Sequence, residues 1–107
     1  MTKYGCNVYF NGNVRSSFIN GYRTGDPLVM SRVVIFPVGE NPEAACAQVW
    51  RILNADERPN AGSERSLSMG DVIKIVCPPN EETGEISNLF FAIEKIGFRE
   101  ISAPEGI

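Results

Sequence analysis

An α+β domain is the architecture this chain predicts: an antiparallel sheet, open or curled into a partial barrel, with one helix packed on one face. Three observations carry that expectation. One stretch of helical periodicity, residues 41–54, stands between strand-like runs. The runs that follow it, over 64–101, have short connections that suit antiparallel pairing. Finally, 107 residues with 43% hydrophobic side chains suit a single domain over 1–107 with one real core.

The N-terminal part, residues 1–39, reads as strands and loops. Val8-Tyr9-Phe10 precedes Asn11-Gly12-Asn13, and Val14 to Ile19 follows. An Asn-Gly pair tolerates the positive φ angles of a tight turn, so this predicts a hairpin. Asn20-Gly21 and Gly25-Asp26-Pro27 mark a second loop. Residues 28–38 come next. Val33 to Phe36 is apolar throughout, which predicts a central strand covered on both sides, with Pro37 near its end.

The helix over 41–54 has a clear beginning. Asn41 suits the N-cap, Pro42 the first helical position and Glu43 the positive end of the helix dipole. Ala45, Cys46, Val49, Trp50, Ile52 and Leu53 form an apolar stripe at helical spacing, which predicts a largely buried Trp50. Residues 56–63 read as loop. From Arg65 to Met69 polar and apolar residues alternate, so Leu67 and Met69 are expected to point inward. Gly70-Asp71 then turns the chain, with Asp71 accepting turn amides at a value of about 1 kcal/mol. Strands are expected over 72–76, 89–94 and 98–101, separated by an acidic loop at 80–88 and a turn at Lys95-Ile96-Gly97. Residues 102–107 read as a flexible tail.

Composition narrows the function. The chain lacks His, so no Ser–His or Cys–His nucleophile pair can form. Its three cysteines, Cys6, Cys46 and Cys77, are widely spaced without a CxxC pair, so neither a disulfide framework nor a zinc site is expected. The acidic pairs Asp56-Glu57 and Glu81-Glu82 fall in loops and read as solvated charge. Phosphate-cradling glycine motifs are absent. No catalytic residue, cofactor or metal is therefore expected. There is no apolar run of membrane-spanning length and no leader-like N-terminus, which predicts a cytoplasmic protein.

The net charge of −3 is uneven. Residues 1–39 hold Lys3, Arg15, Arg23 and Arg32 against Asp26 alone, a net +3, and the remainder carries −6. An acidic chain is a poor general ligand for nucleic acid. In the basic third, Tyr4, Tyr9, Phe10, Phe18 and Tyr22 interleave with the arginines. Tyr and Arg dominate interface hot spots, and aromatics also stack nucleobases. Arg15, Arg23, Tyr22, Tyr9 and Arg32 are the candidate contact residues. A second polar patch, Asn54, Arg58, Arg65, Ser66, Ser68 and Asp71, would gather where the helix gives way to the strands. There an Arg fork could grip a carboxylate or phosphate.

Asn54-Ala55-Asp56-Glu57-Arg58-Pro59, followed by Ser66-Leu67-Ser68-Met69-Gly70-Asp71-Val72-Ile73 and a closing Gly97-Phe98, resembles the YodL-like small domain and related short proteins of bacteriophages and mobile elements. The resemblance covers about residues 43–101, with Met69 where Val is commoner. The N-terminal third lies outside it. The family carries no settled biochemical function. The resemblance implies a phage or mobile-element accessory protein in a bacterial host cell. With the absent catalytic groups, it points to a non-enzymatic binding protein that modulates a host protein, such as an anti-defence (anti-CRISPR) inhibitor. The alternatives are a protein that sequesters a small ligand or nucleotide, which needs a pocket combining arginines and aromatics, and a nucleic-acid-binding module, which the acidic second half disfavours.

Overall fold

A computed structural model describes residues 1–107. In chain order it contains β1 (Thr2–Lys3), β2 (Gly5–Asn11), α1 (Val14–Asn20), β3 (Leu28–Met30), β4 (Val38–Gly39), α2 (Pro42–Asn54), β5 (Val72–Val76), β6 (Asn88–Ile93) and β7 (Phe98–Ile101). Five strands form one antiparallel sheet in the order β3-β2-β5-β6-β7, and β1 pairs with β4 in a separate two-stranded ladder. The fold is α+β, as the sequence predicts. The main sheet is open, with β3 and β7 at its edges. No helix is long and apolar enough to cross a membrane.

The period-two alternation of the strands divides the core. One face carries Val8, Ile73, Ile75, Phe91 and Ile93 against Ala45, Cys46, Val49 and Leu53 of α2. The other carries Tyr9, Val72, Phe90 and Ala92, flanked on the same face by Leu28 of β3 and Ile101 of β7, with Tyr22 packed against them. The register follows, with Ile73 opposite Val8 and Phe91, and Val72 opposite Tyr9 and Ala92. Helix α2 begins as predicted. The Asn41 side chain accepts the Ala44 N–H at 2.8 Å, and Pro42 occupies the first turn. Gln48 ties the helix to β4 by accepting the Val38 N–H at 2.7 Å.

Three expectations are corrected. Residues 14–20 are a helix and not the second arm of a hairpin. The reason lies in Asn11, whose Oδ1 accepts the Asn13 N–H at 2.8 Å and turns the chain out of the sheet. Residues 33–36 are not a central strand. They cross between β3 and β4 with Val33 and Ile35 turned to the core and Val34 and Phe36 exposed. An apolar run alone cannot distinguish that half-buried crossing from a strand covered twice. Trp50 lies at the margin of the helix stripe and is 37% exposed. In the tail beyond β7, Pro104 is buried and the Ile107 N–H donates to its carbonyl at 3.2 Å, while the other residues are exposed.

Candidate functional site

The basic N-terminal third separates into a surface and a support. Arg15 on α1, Arg23 in the following loop and Arg32 beyond β3 are all exposed. Around them in sequence stand Val14, Phe18, Ile19, Val29, Met30, Val34 and Phe36, all exposed, with Ile19 at 75%. Seven of the twelve large hydrophobics open to solvent thus fall within residues 14–36. Single exposed apolar side chains are normal on a protein surface, and what marks this segment is how many of them fall in one stretch of sequence, with Val29 and Met30 alternating between the two faces of β3. Lys3 Nζ lies 5.3 Å from the centre of the Phe36 ring, adding a further cation.

Tyr9 and Tyr22 do not belong to that surface. They are 7% and 8% exposed and pack on the second sheet face, where burial pushes both phenols up. The expectation that they flank the arginines is corrected by strand register, because Tyr9 alternates with Val8 and the sheet has apolar cover on both sides. Val14, Ile19, Val29, Met30, Val34 and Phe36 are exposed residues that the sequence reading assigns to strands and not to the contact set. The available signal was an apolar excess between Val14 and Phe36 too large for one short segment to bury.

Support comes from a buried polar network. Asp71 is 0% exposed. Its Oδ1 accepts the Asn11 N–H at 2.8 Å and Arg65 Nη2 at 2.7 Å. Its Oδ2 accepts Arg65 Nη1 at 2.7 Å and the Ser68 N–H at 2.9 Å. The guanidinium lies 4.7 Å from the centre of the Phe10 ring and donates also to the Ser66 carbonyl, the Ser68 hydroxyl and the Asn11 carbonyl. Asn11 extends the network by donating to Asp26 at 2.9 Å and to the Gly70 carbonyl at 3.0 Å. Asp26 also accepts from the Asn13 amide and the Arg23 N–H.

Arg65, Ser68 and Asp71 therefore come together as expected, Ser66 only through its carbonyl. Arg65's fork is engaged within the chain, so this cluster fixes the base of α1 and the 21–28 loop. Asn54 and Arg58 stand apart from it. Arg58 Nη2 donates to the Glu64 carbonyl at 3.1 Å, and Glu64 in turn accepts from Ser31, Asn60 and the Arg32 N–H. Both networks tie the exposed third to the region after α2.

The cysteines serve packing. Burial pushes the Cys6 thiol up to about 12, and it pushes Cys46 up further, with Cys6 and Glu43 adding to the shift. Such thiols hold little thiolate at neutral pH. No three His, Cys, Asp or Glu side chains converge as ligands for a metal ion. No family model, curated protein or solved structure matches the chain.

Proposed function

We propose that this is a non-enzymatic binding protein whose contact surface is the N-terminal third. One observation carries the reading: seven exposed large hydrophobics share residues 14–36 with Arg15, Arg23 and Arg32, on a framework fixed by the Asp71 and Glu64 networks. Apolar area supplies affinity, and the arginines select the partner's charge. The partner is accordingly a protein with an apolar patch bordered by carboxylates. The YodL-like pattern of residues 43–101 supports the narrower reading, an accessory protein of a phage or mobile element that modulates a bacterial host protein, of which anti-defence inhibition is one form.

The test compares surfaces. Tagged wild type, Arg15→Glu with Arg23→Glu, Phe18→Ser with Ile19→Ser, and Glu81→Lys with Glu82→Lys are each passed through bacterial lysate, and a retained protein is purified for titration. The arginine and apolar variants should bind at least about 30-fold more weakly, as truncation of a 2 kcal/mol hot spot would cause, with little change in melting temperature. The acidic-loop variant should bind like wild type. Loss of binding in the acidic-loop variant with full binding in the other two would place the contact on the loop around Glu81 and Glu82 and refute the reading.

A further inference from the structure

A cleft of about 250 Å³ opens between α2 and the β6–β7 turn, and none of its lining residues belongs to the proposed contact surface. Ala47, Trp50 and Arg51 line it from the helix. Their i, i+3, i+4 spacing puts them on one helix face. Glu94, Lys95 and Phe98 line it from the turn, which closes through the Glu94 N–H donating to the Gly97 carbonyl at 3.1 Å. Gly97 adopts φ +76°, which glycine takes without strain. Ala47 contributes only a methyl to a wall that also holds Trp50 and Phe98, so little side-chain volume fills the cleft from the helix at that position.

The electrostatics of the cleft select its ligand. Its one carboxylate, Glu94, is paired with Arg99 Nε at 2.9 Å, and Arg99 does not line the cleft. The chain's other salt bridge is Arg65–Asp71, so Arg51 and Lys95 carry uncompensated charge at the cleft wall. Trp50, which the core leaves 37% exposed, lines the cleft, and an exposed indole is a stacking partner for a flat ring. An acidic chain thus keeps two free cations beside two aromatics in a concavity sized for one ring system and an attached anion.

We infer that this cleft binds a small planar aromatic anion of the nucleoside monophosphate class. The ring stacks on Trp50 against Phe98, and Arg51 and Lys95 receive the anionic group. The site is independent of the N-terminal surface, so the Arg15→Glu, Arg23→Glu variant should bind the same ligand unchanged.

Trp50 is the only tryptophan, so its fluorescence reports the site directly. The probe is adenosine monophosphate. Adenosine serves as the ring without the anion, and inorganic phosphate as the anion without the ring. Calorimetry supplies a second readout. Adenosine monophosphate should change the emission saturably, with half-saturation below about 1 mM. Adenosine and phosphate should each bind at least about tenfold more weakly. Arg51→Gln with Lys95→Gln should erase the preference for the monophosphate over adenosine. Ala47→Leu should fill the cleft and abolish the response, with circular dichroism confirming that both variants remain folded. The inference is overturned by the absence of saturable binding to wild type, by equal affinity for adenosine and its monophosphate, or by undiminished binding to the Ala47→Leu protein.

Discussion

Removing the Asp71 carboxylate should unfold the protein far more readily than loss of a surface turn bond would. The residue is fully buried and accepts four hydrogen bonds, two from Arg65 and one each from the Asn11 and Ser68 amides. Asp71→Ala strands both amides, at about 1–3 kcal/mol for each buried donor left unsatisfied. It also leaves a guanidinium without its anion. Arg65 is 36% exposed, so water recovers part of that last loss. The sum is about 3–5 kcal/mol, the range found when one partner of a buried pair is removed. This exceeds the roughly 1 kcal/mol expected of a turn aspartate, because the second strand whose amide it accepts was not visible in the local sequence. With a urea m-value near 2 kcal/mol per molar, the midpoint should fall by about 2 M. Ser68→Ala, which deletes only a 3.3 Å contact with Arg65, should change stability by less than about 0.5 kcal/mol. Amide exchange supplies the spatial check, since residues 11–28 should lose protection before α2 does. An Asp71→Ala midpoint within about 0.5 M of wild type would refute the reasoning.

Three further outcomes are expected. Gly70 has φ +93°, and a Cβ there would overlap the Ser17 side chain, so Gly70→Ala should cost about 2–4 kcal/mol; a melting temperature equal to wild type would mean that α1 does not pack there. Trp50→Ala should cost only about 1–2 kcal/mol, below the 3–5 of a fully buried aromatic, and a larger loss in chemical denaturation would show that the side chain is part of the core. Partial burial raises the Asp26 and Glu64 carboxyls, but hydrogen bonds from Asn11, the Arg23 N–H and Asn13 to the first, and from Ser31, Asn60 and the Arg32 N–H to the second, outweigh it and leave both below their ordinary range. The unfolded chain then binds more protons, so this stabilisation is complete above about pH 5 and disappears as pH falls through the lowered folded values. Asp26→Asn with Glu64→Gln should flatten the acid limb of a plot of urea midpoint against pH, and an unchanged limb would assign the acid sensitivity elsewhere.

What could be read from the sequence was local, and what could not was set by distant partners. Helix α2 was legible because Asn41, Pro42 and the stripe from Ala45 to Leu53 all lie within one element. Strands β5 to β7 were legible because β-branched and aromatic runs are separated by short turns that leave one way to pair. Arg65, Ser68 and Asp71 were legible as a cluster because they lie six residues apart at most. Asn11 joins them from sixty residues away, and that contact redirects Asn11-Gly12 from a hairpin turn into the start of α1. Tyr9 looked like a contact residue for a related reason. Nothing nearby in sequence shows that the face opposite α2 is apolar and buried, because its partners are Tyr22 from the loop after α1 and Val72, Phe90 and Ala92 from strands far along the chain.

The same distinction orders the two candidate surfaces. In the N-terminal third, Tyr4, Val8, Tyr9 and Tyr22 anchor the chain in the core, and buried polar groups set the path between them: Asp71, Asn11 and Glu64 hold the backbone amides of Asn11, Asn13 and Arg32. Helix α1 buries only Ser17 among its seven residues and leaves Val14, Phe18 and Ile19 to solvent. A seven-residue helix is not stable by itself in water. Its persistence therefore depends on the Asn11 turn at one end and on the close approach of Ser17 to Gly70. Apolar side chains that contribute nothing to that anchorage would be dispensable to a protein that only had to fold. Their presence on a fixed framework, in the same segment as the exposed Arg15, Arg23 and Arg32, is what supports the proposed contact role of residues 14–36. It also explains why Phe18→Ser with Ile19→Ser is the most informative variant: affinity should fall while the unfolding midpoint stays near wild type, and a collapse of both would return those residues to the fold.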